Sequence, residues 1–102
     1  MTEYTSSTGV KRDFGLDIES ILKMEEENPG FSLVNDFRKF AGTYRLTYAD
    51  RLCRAMGTTY RDFIADGFYM EDLVGIITKA MSDLHFFRDS QTNSEDVSQR
   101  PC

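Results

Sequence analysis

Hydrophobic side chains recur every three or four residues over most of this chain, which is the period of amphipathic helices. The widest stripe lies toward the C-terminal end and consists of Leu73, Val74, Ile76, Ile77, Ala80, Met81, Leu84 and Phe87. Glu71 and Asp72 come just before it, where the helix dipole favours anions, so a long helix is predicted to begin near Met70. We expect this stripe, including Ile77, to form the core.

Two shorter helices are predicted before the long one, because the same set of boundary residues occurs twice in succession. Each set has a threonine that can act as N-cap, an aspartate three residues later and a terminal glycine in the left-handed conformation. The two sets are Thr47, Asp50 and Gly57, followed by Thr59, Asp62 and Gly67. The apolar face of the first helix consists of Leu46, Leu52, Ala55 and Met56, and that of the second consists of Phe63 and Ile64.

The first half of the chain contains another amphipathic stretch, for which Asp13 or Asp17 can act as the N-cap. Its apolar positions are Leu16, Ile18, Ile21, Leu22 and Met24. The triplet Asn28-Pro29-Gly30 ends the helix, because proline disfavours helical geometry in the residue before it. Glu25 to Glu27 occupy its last turn, where the dipole disfavours anions. This end is therefore expected to fray unless a basic partner covers it.

A further helix is predicted from the cap residue Ser32 to about Ala41, with Gly42 ending it. The alternation in residues 43–46 permits a brief strand, but no partner strand with a matching turn is evident. The fold class is therefore predicted to be all-α: a compact single domain of about five short helices with disordered termini.

The 102 residues are expected to form one domain, and the two ends differ from the middle in composition. Residues 1–12 are small and polar and are predicted to be a flexible arm. Residues 13–88 are predicted to be the helical domain. Residues 89–102 contain one aliphatic side chain and no aromatic one, so burial cannot offset their ordering entropy, and they are predicted to be a disordered tail.

Charge and cysteine content restrict the setting in which the chain acts. Twelve basic residues stand against 17 acidic ones, and the net charge of −5 disfavours nucleic acid as a partner unless the basic residues gather on one face. Two cysteines cannot build a disulfide framework, which favours the cytoplasm, or the host cytoplasm if the protein is viral. We expect no membrane partner, since no apolar run approaches the ~20 residues that cross a bilayer and no signal peptide is evident.

No group of side chains indicates catalysis, a cofactor or a metal, so the chain is not predicted to be an enzyme. His85 is the single histidine and is interpreted as a surface or helix-end residue, because a metal site needs several ligands on one face. Cys53 has Arg51 and Arg54 as neighbours, which can lower the pKa of a thiol. It lacks a histidine to activate it and is interpreted as a structural or merely exposed thiol. The run Glu25 to Glu27 lacks the spacing of a calcium loop.

Arginines and tyrosines are interleaved in the middle of the chain. They are Tyr44, Arg45, Tyr48, Arg51, Arg54, Tyr60 and Arg61. Protein interfaces favour these residue types, because they bring large contact area and directed hydrogen bonds. We therefore predict Arg51, Arg54 and Tyr60 as protein-binding residues. A solvated basic face balanced by the acidic remainder explains the same pattern, and both interpretations stay open.

The segment from Leu52 to Phe63, LCRAMGTTYRDF, resembles a helix-turn-helix DNA-binding motif. It has a small residue four positions before the turn glycine, an apolar residue just before it and another six positions after it. The resemblance implies a transcriptional regulator whose recognition helix is YRDFIADG. That helix would bring two aspartates and one arginine to DNA, so this function is the alternative hypothesis.

The order of elements from Tyr44 to Met81 resembles the helical tail-assembly chaperones of long-tailed bacteriophages. The matching residues are Leu52, Met56-Gly57, Asp62-Phe63 and Glu71-Asp72-Leu73. The resemblance implies a non-catalytic adaptor that needs no cofactor and binds the tape-measure protein and tail-tube subunits before assembly. We therefore predict a protein-binding adaptor, and homo-oligomerisation is left open.

Overall fold

The computed structural model describes residues 1–87, which form an N-terminal hairpin followed by five helices. The elements in order are β1 (Thr2–Thr5), β2 (Lys11–Phe14), α1 (Ile18–Glu27), α2 (Leu33–Thr43), α3 (Leu46–Ala55), α4 (Tyr60–Ala65) and α5 (Met70–Asp83). The described part is mostly helical, as predicted, but the all-α assignment is wrong because of the two-stranded sheet.

The N-terminal hairpin replaces the flexible arm predicted for residues 1–12. Strands β1 and β2 are antiparallel, with Thr2 opposite Phe14 and Thr5 opposite Lys11. The prediction failed because only two large apolar residues of the strands, Tyr4 and Phe14, fix the hairpin to the core, and most of the remaining hairpin residues are polar. The tail predicted for residues 89–102 lies outside the described residues.

The tip of the hairpin is bonded to the turn between α4 and α5. The Ser7 hydroxyl donates to the Gly67 carbonyl at 2.6 Å, and the Thr8 hydroxyl donates to the Asp66 carbonyl at 2.7 Å. On the neighbouring strand, the Arg12 guanidinium donates through Nε to the Asp66 carboxylate at 2.9 Å. These contacts hold the polar tip in place, although little of it is buried.

Three of the predicted helix starts are confirmed by side-chain bonds to backbone N–H groups. Asp17 accepts from Ser20, Ser32 accepts from Asn35, and Thr59 accepts from Asp62. These bonds satisfy N–H groups that have no partner within the first turn of each helix. Glu71 and Asp72 lie in the first turn of α5, as predicted.

The boundaries around residues 42–47 differ from those predicted. Helix α2 passes through Gly42 and ends on Tyr44, which takes the left-handed conformation with φ 54°. Helix α3 then begins at Leu46 after Arg45, so Thr47 lies inside the helix and does not cap it. The strand considered for residues 43–46 is absent, because α2 and α3 are separated by only two non-helical residues.

The core lies between α5 and the other helices, with Ile77 fully buried as predicted. Most of the predicted α5 stripe is buried, and α2 and α3 both pack against this helix. The side chains with no exposed surface include Leu33, Phe40, Leu52, Cys53, Phe63 and Leu73. Helix α3 also contacts α1 and α4, so it is the central element of the domain.

An aromatic cluster joins the hairpin to this core. Phe63 stacks on Phe68 with ring centroids 5.0 Å apart, and Phe14 from β2 contacts both rings at 5.6 and 5.3 Å. Tyr4 extends the cluster outward through Phe14, and Tyr60 extends it through Phe63. Aromatic pairs in these tilted and stacked arrangements stabilise a fold beyond the effect of their buried area.

We predict that Gly67→Ala destabilises the fold more than the matched substitution Gly57→Ala. Both glycines have positive φ, 103° and 90°, so either alanine incurs a strain of about 1–2 kcal/mol. Only at position 67 does the added Cβ also approach the hairpin tip, at 2.6 Å from Thr8 Oγ1, whereas nothing lies within 4 Å at position 57. Urea unfolding should show an additional loss of about 1 kcal/mol for Gly67→Ala. Equal losses would contradict tight packing of the tip on this turn.

Candidate functional site

The basic residues gather in one part of the chain. Residues 37–61 carry six basic side chains against one acidic side chain, Asp50, whereas residues 13–36 carry seven acidic side chains against one basic side chain. The six basic residues are Arg38, Lys39, Arg45, Arg51, Arg54 and Arg61. This segment covers the end of α2, all of α3 and the start of α4. The chain is therefore negatively charged overall but positively charged over residues 37–61.

An open groove of about 680 Å³ lies between α3 and α4. We call it the α3–α4 groove, and its lining residues are Leu46, Asp50, Arg54, Thr59, Tyr60, Arg61 and Ile64. Thr59 caps α4, and the left-handed turn at Gly57 reverses the chain so that the two helices flank the groove. The groove thus has a fixed backbone frame on both sides.

Asp50 organises the polar part of the groove. One carboxylate oxygen accepts from Arg54 Nε at 2.7 Å, and the other accepts from the backbone N–H of Tyr60 at 3.0 Å. The hydrogen bond from Arg54, then the one from Tyr60, lowers the pKa of Asp50 below its ordinary value. Asp50 therefore stays ionised near neutral pH, ties α3 to α4 and orients the Arg54 guanidinium.

The apolar part of the groove consists of two exposed aliphatic side chains. Leu46 is 61% exposed and Ile64 is 41% exposed. Both residues were predicted to lie on the apolar faces of their helices, but neither side chain is buried. Ile64 follows the fully buried Phe63, and adjacent residues on a helix point about 100° apart, so Ile64 is turned toward the groove rather than toward the Phe63 side of α4. Leu46 is the first residue of α3 and lies at the rim of the groove.

A second cationic feature surrounds the Tyr48 ring on the outer side of α3. Lys39 Nζ lies 5.8 Å from the ring centroid, and the guanidinium carbons of Arg45 and Arg51 lie 6.0 Å from it. Arg51 also donates to the buried carboxylate of Asp36 at 3.5 Å. Three cations lie around one aromatic ring here, and a half-buried ring interacts favourably with each of them.

The three predicted protein-binding residues divide between two neighbouring grooves. Arg54 and Tyr60 both line the α3–α4 groove and are linked through Asp50. Arg51 instead lines an adjoining groove of about 330 Å³, beside Arg54 and next to Phe31. Arg54 therefore borders both grooves.

The exposure of the three residues differs. The Arg51 and Arg54 side chains are 45% and 60% exposed. Tyr60 is half-buried because its ring stacks on Phe63. This burial raises the pKa of its hydroxyl. The prediction omitted Leu46, Ile64 and Arg61, whose positions in the groove depend on the angle between α3 and α4.

Neither the cysteine nor the histidine of residues 1–87 lines these two grooves. Cys53 is fully buried, and desolvation raises the pKa of its thiol to about 12, so the interpretation as a structural thiol holds and that of an exposed thiol does not. His85 is exposed just after α5, which confirms a surface histidine at a helix end. Among residues 1–87, no cluster of three or more histidine, cysteine or acidic side chains is arranged to hold a metal.

Comparison of the chain with protein-family models, curated proteins and solved structures found no significant match. Within the described residues, no helix has the length and hydropathy needed to cross a bilayer. The function of the grooves is therefore inferred from their own geometry.

We predict that Asp50→Ala lowers the free energy of unfolding by about 1 kcal/mol near neutral pH, since it removes a charged acceptor from a partly exposed site. The folded state lowers the pKa of Asp50, so its contribution is present above the unfolded pKa of 3.8 and is lost as pH falls through the lower folded value. The difference between wild type and variant in chemical denaturation should therefore shrink in acid.

The exposed helical pair of Lys79 and Asp83 supplies the control for this experiment. Asp83→Ala removes an ion pair of the same i,i+4 type without a backbone contact to another helix, so it should have a smaller effect. An Asp50→Ala difference that does not change between neutral pH and pH about 3 would contradict the role of the ionised carboxylate.

We predict that the Cys53 thiol is protected from modification in the folded protein. In the Cys102→Ser variant, where Cys53 is the only thiol, labelling by a disulfide reagent at pH about 8 should be at least ~100-fold slower than in denaturant, because only the exposed thiolate reacts. Labelling at equal rates in the two conditions would show that the thiol is accessible.

Proposed function

We propose that this protein is a non-catalytic adaptor that binds an acidic, partly apolar segment of another protein in the α3–α4 groove. The observation that carries the proposal is the juxtaposition of exposed Leu46 and Ile64 with the arginines Arg54 and Arg61 in one groove. Aliphatic side chains beside arginines and a tyrosine match the composition of protein interfaces.

The chemistry of the side chains determines what each contributes to such an interface. Covering Leu46 and Ile64 with a partner removes apolar surface from water, which stabilises the complex by roughly 1 kcal/mol for each. Arg54 and Arg61 favour carboxylates on that partner and disfavour basic segments, so charge determines orientation and specificity. The frame supplied by Asp50 and Thr59 limits the ordering cost on the adaptor side.

A more specific version of this proposal is that the adaptor is a tail-assembly chaperone, whose partners are the tape-measure protein and the tail-tube subunits. In support, Met56-Gly57 lies at the α3–α4 turn, Asp62-Phe63 lies in α4, and Glu71-Asp72-Leu73 lies at the start of α5, in the order that the resemblance implies. The short extended opening expected near Tyr44 is instead a two-residue link between helices.

A helix-turn-helix regulator is less well supported by the geometry of α4. This helix has only six residues, and its exposed face carries Asp62 beside Arg61. The Asp66 carboxylate just after it is engaged by Arg12. A recognition helix has to present several neutral or basic side chains to base edges, so duplex DNA is treated as a competing outcome of the binding experiment.

The groove is tested with two helical peptides of equal length. One has two leucines four residues apart flanked by glutamates, and the other has lysines in place of the glutamates. We predict that the acidic peptide binds at least tenfold more tightly, and that Leu46→Ser/Arg61→Glu reduces this binding by tenfold or more, which is about 1.4 kcal/mol. Isothermal titration measures both, and Lys11→Glu on the hairpin controls for the change in net charge.

The chaperone hypothesis is tested separately, by the solubility of a co-expressed partner. A tape-measure protein encoded in the same genome should stay soluble when co-expressed with wild type or Lys11→Glu, and should aggregate with Leu46→Ser/Arg61→Glu. Equal binding of both peptides would contradict the adaptor. Sequence-dependent, sub-micromolar binding of duplex DNA, measured over about 50–200 mM salt, would favour the regulator instead.

A further inference from the structure

Helix α1 carries a line of side chains that is exposed on the surface formed by residues 1–87. Ile18 is 42% exposed, Leu22 is 49% exposed, and Glu26 continues the line one turn later. Their spacing of four residues places all three on one face of the helix. Two aliphatic residues one turn apart on a polar helix thus form an apolar strip that the rest of residues 1–87 leaves exposed.

The opposite side of α1 is already occupied by the same chain. Ile21 is buried in the core, while Ser20, Met24 and Glu27 line a cleft shared with Arg54. The line of Ile18, Leu22 and Glu26 therefore faces away from α3 and is exposed within the part of the chain that the structure describes.

The C-terminal end of α1 is also acidic, and of the two cations that share a cleft with Glu27, Lys23 and Arg54, the second is already paired with Asp50. Glu25 to Glu27 fill its last turn, where no basic residue is present, and the helix dipole disfavours negative charge at this end. Of these three glutamate side chains, only that of Glu25 has a hydrogen bond within the described residues. It accepts from the Leu33 N–H at 3.3 Å. A basic surface placed against this end would therefore interact favourably with both the glutamates and the helix dipole.

We propose that the protein self-associates, with α1 of one copy docking in the α3–α4 groove of a second copy. The α1 surface is acidic, with four glutamates against one lysine, and presents Ile18 and Leu22. The groove presents Leu46 and Ile64 beside Arg54 and Arg61, and because its one carboxylate, Asp50, is paired with Arg54, the groove keeps a net positive charge. Each surface thus pairs two aliphatic side chains with charges opposite to those of the other, which is the complementarity that directs association.

The contact joins two different surfaces, so each copy can offer its groove to one neighbour and its α1 to another. Such heterologous contacts build rings or open chains of copies. A ten-residue helix is about 15 Å long, and one helix in one groove lies below the size of a permanent interface. Association is therefore weak, reversible and dependent on concentration and salt.

Self-association goes beyond the adaptor function and does not require it. Where both occur, α1 of a second copy occupies the groove that a partner segment needs, so partner binding and self-association compete. A variant of α1 separates the two activities, because it leaves the groove intact.

The test uses one variant of each surface, at positions exposed enough to spare the core. Ile18→Ser/Leu22→Ser removes the α1 surface, and Leu46→Ser/Arg61→Glu removes the groove. Sedimentation velocity from about 10 µM to about 1 mM covers the affinities of small, weak interfaces. We expect wild type to gain mass across this range, each variant to remain monomeric, and added salt to reduce the association of wild type.

Mixing the two variants gives the decisive result. The groove variant retains its α1 and the α1 variant retains its groove, so the mixture is expected to form a one-to-one complex although neither variant associates alone. Urea unfolding confirms that both are folded. A second α1 variant, Glu19→Lys/Glu26→Lys, keeps the aliphatic residues and should also be monomeric, because it reverses the charge facing the arginines.

Three outcomes overturn the proposal: a wild type that is monomeric over the whole range, an α1 variant that associates like wild type, or variants that fail to associate when mixed. The adaptor function has a separate readout in the acidic peptide. If the Ile18→Ser/Leu22→Ser variant loses self-association and still binds the peptide, both proposals stand. If wild type associates and no peptide binds, only the adaptor function fails.

Discussion

The packing of Phe63 is the interaction on which most of this structure depends. Its ring is fully buried and contacts Phe68 on one side, Phe14 from the hairpin on another and Tyr60 toward the groove. One side chain of the shortest helix thereby connects the sheet, the core and the candidate binding site. A six-residue helix is too short to be stable by itself, so α4 exists because Phe63 has these neighbours.

This connection explains why the groove is well defined although its rim is exposed. Tyr60 is fixed on its inner side by Phe63 and at its backbone by the Asp50 carboxylate. Arg54 is fixed by the same carboxylate. The apolar residues at the rim are thus presented by a rigid frame, which lowers the entropy cost of binding. A surface with the same composition on a mobile loop would lose part of its affinity to ordering.

The sequence predicted the helices well where a cap or a periodic stripe had a single solution. Ser32 and Thr59 were identified from local chemistry, and α5 was identified from its continuous stripe. For α1 the sequence left Asp13 and Asp17 as cap candidates, and the structure shows Asp17 as the cap. Local rules failed where tertiary contacts decide. The hairpin depends on Phe14 reaching residues about fifty positions away, and the end of α2 depends on Tyr44 packing against Phe40 rather than on the nearby Gly42. Likewise, the sequence showed which residue types favour an interface, but the relative placement of α3 and α4 determines which of them share a groove.

The bonds from the hairpin tip to the α4–α5 turn have a consequence for the order in which the chain folds during synthesis. The Thr8 hydroxyl and its acceptor on Asp66 are 58 residues apart, so the first strands leave the ribosome long before their docking site exists. A two-stranded hairpin is at best marginally stable alone, and contacts so distant in sequence carry a loop-closure cost. The hairpin is therefore among the last parts of this domain to acquire its native contacts, and until then the open edges of the two strands are accessible to other chains.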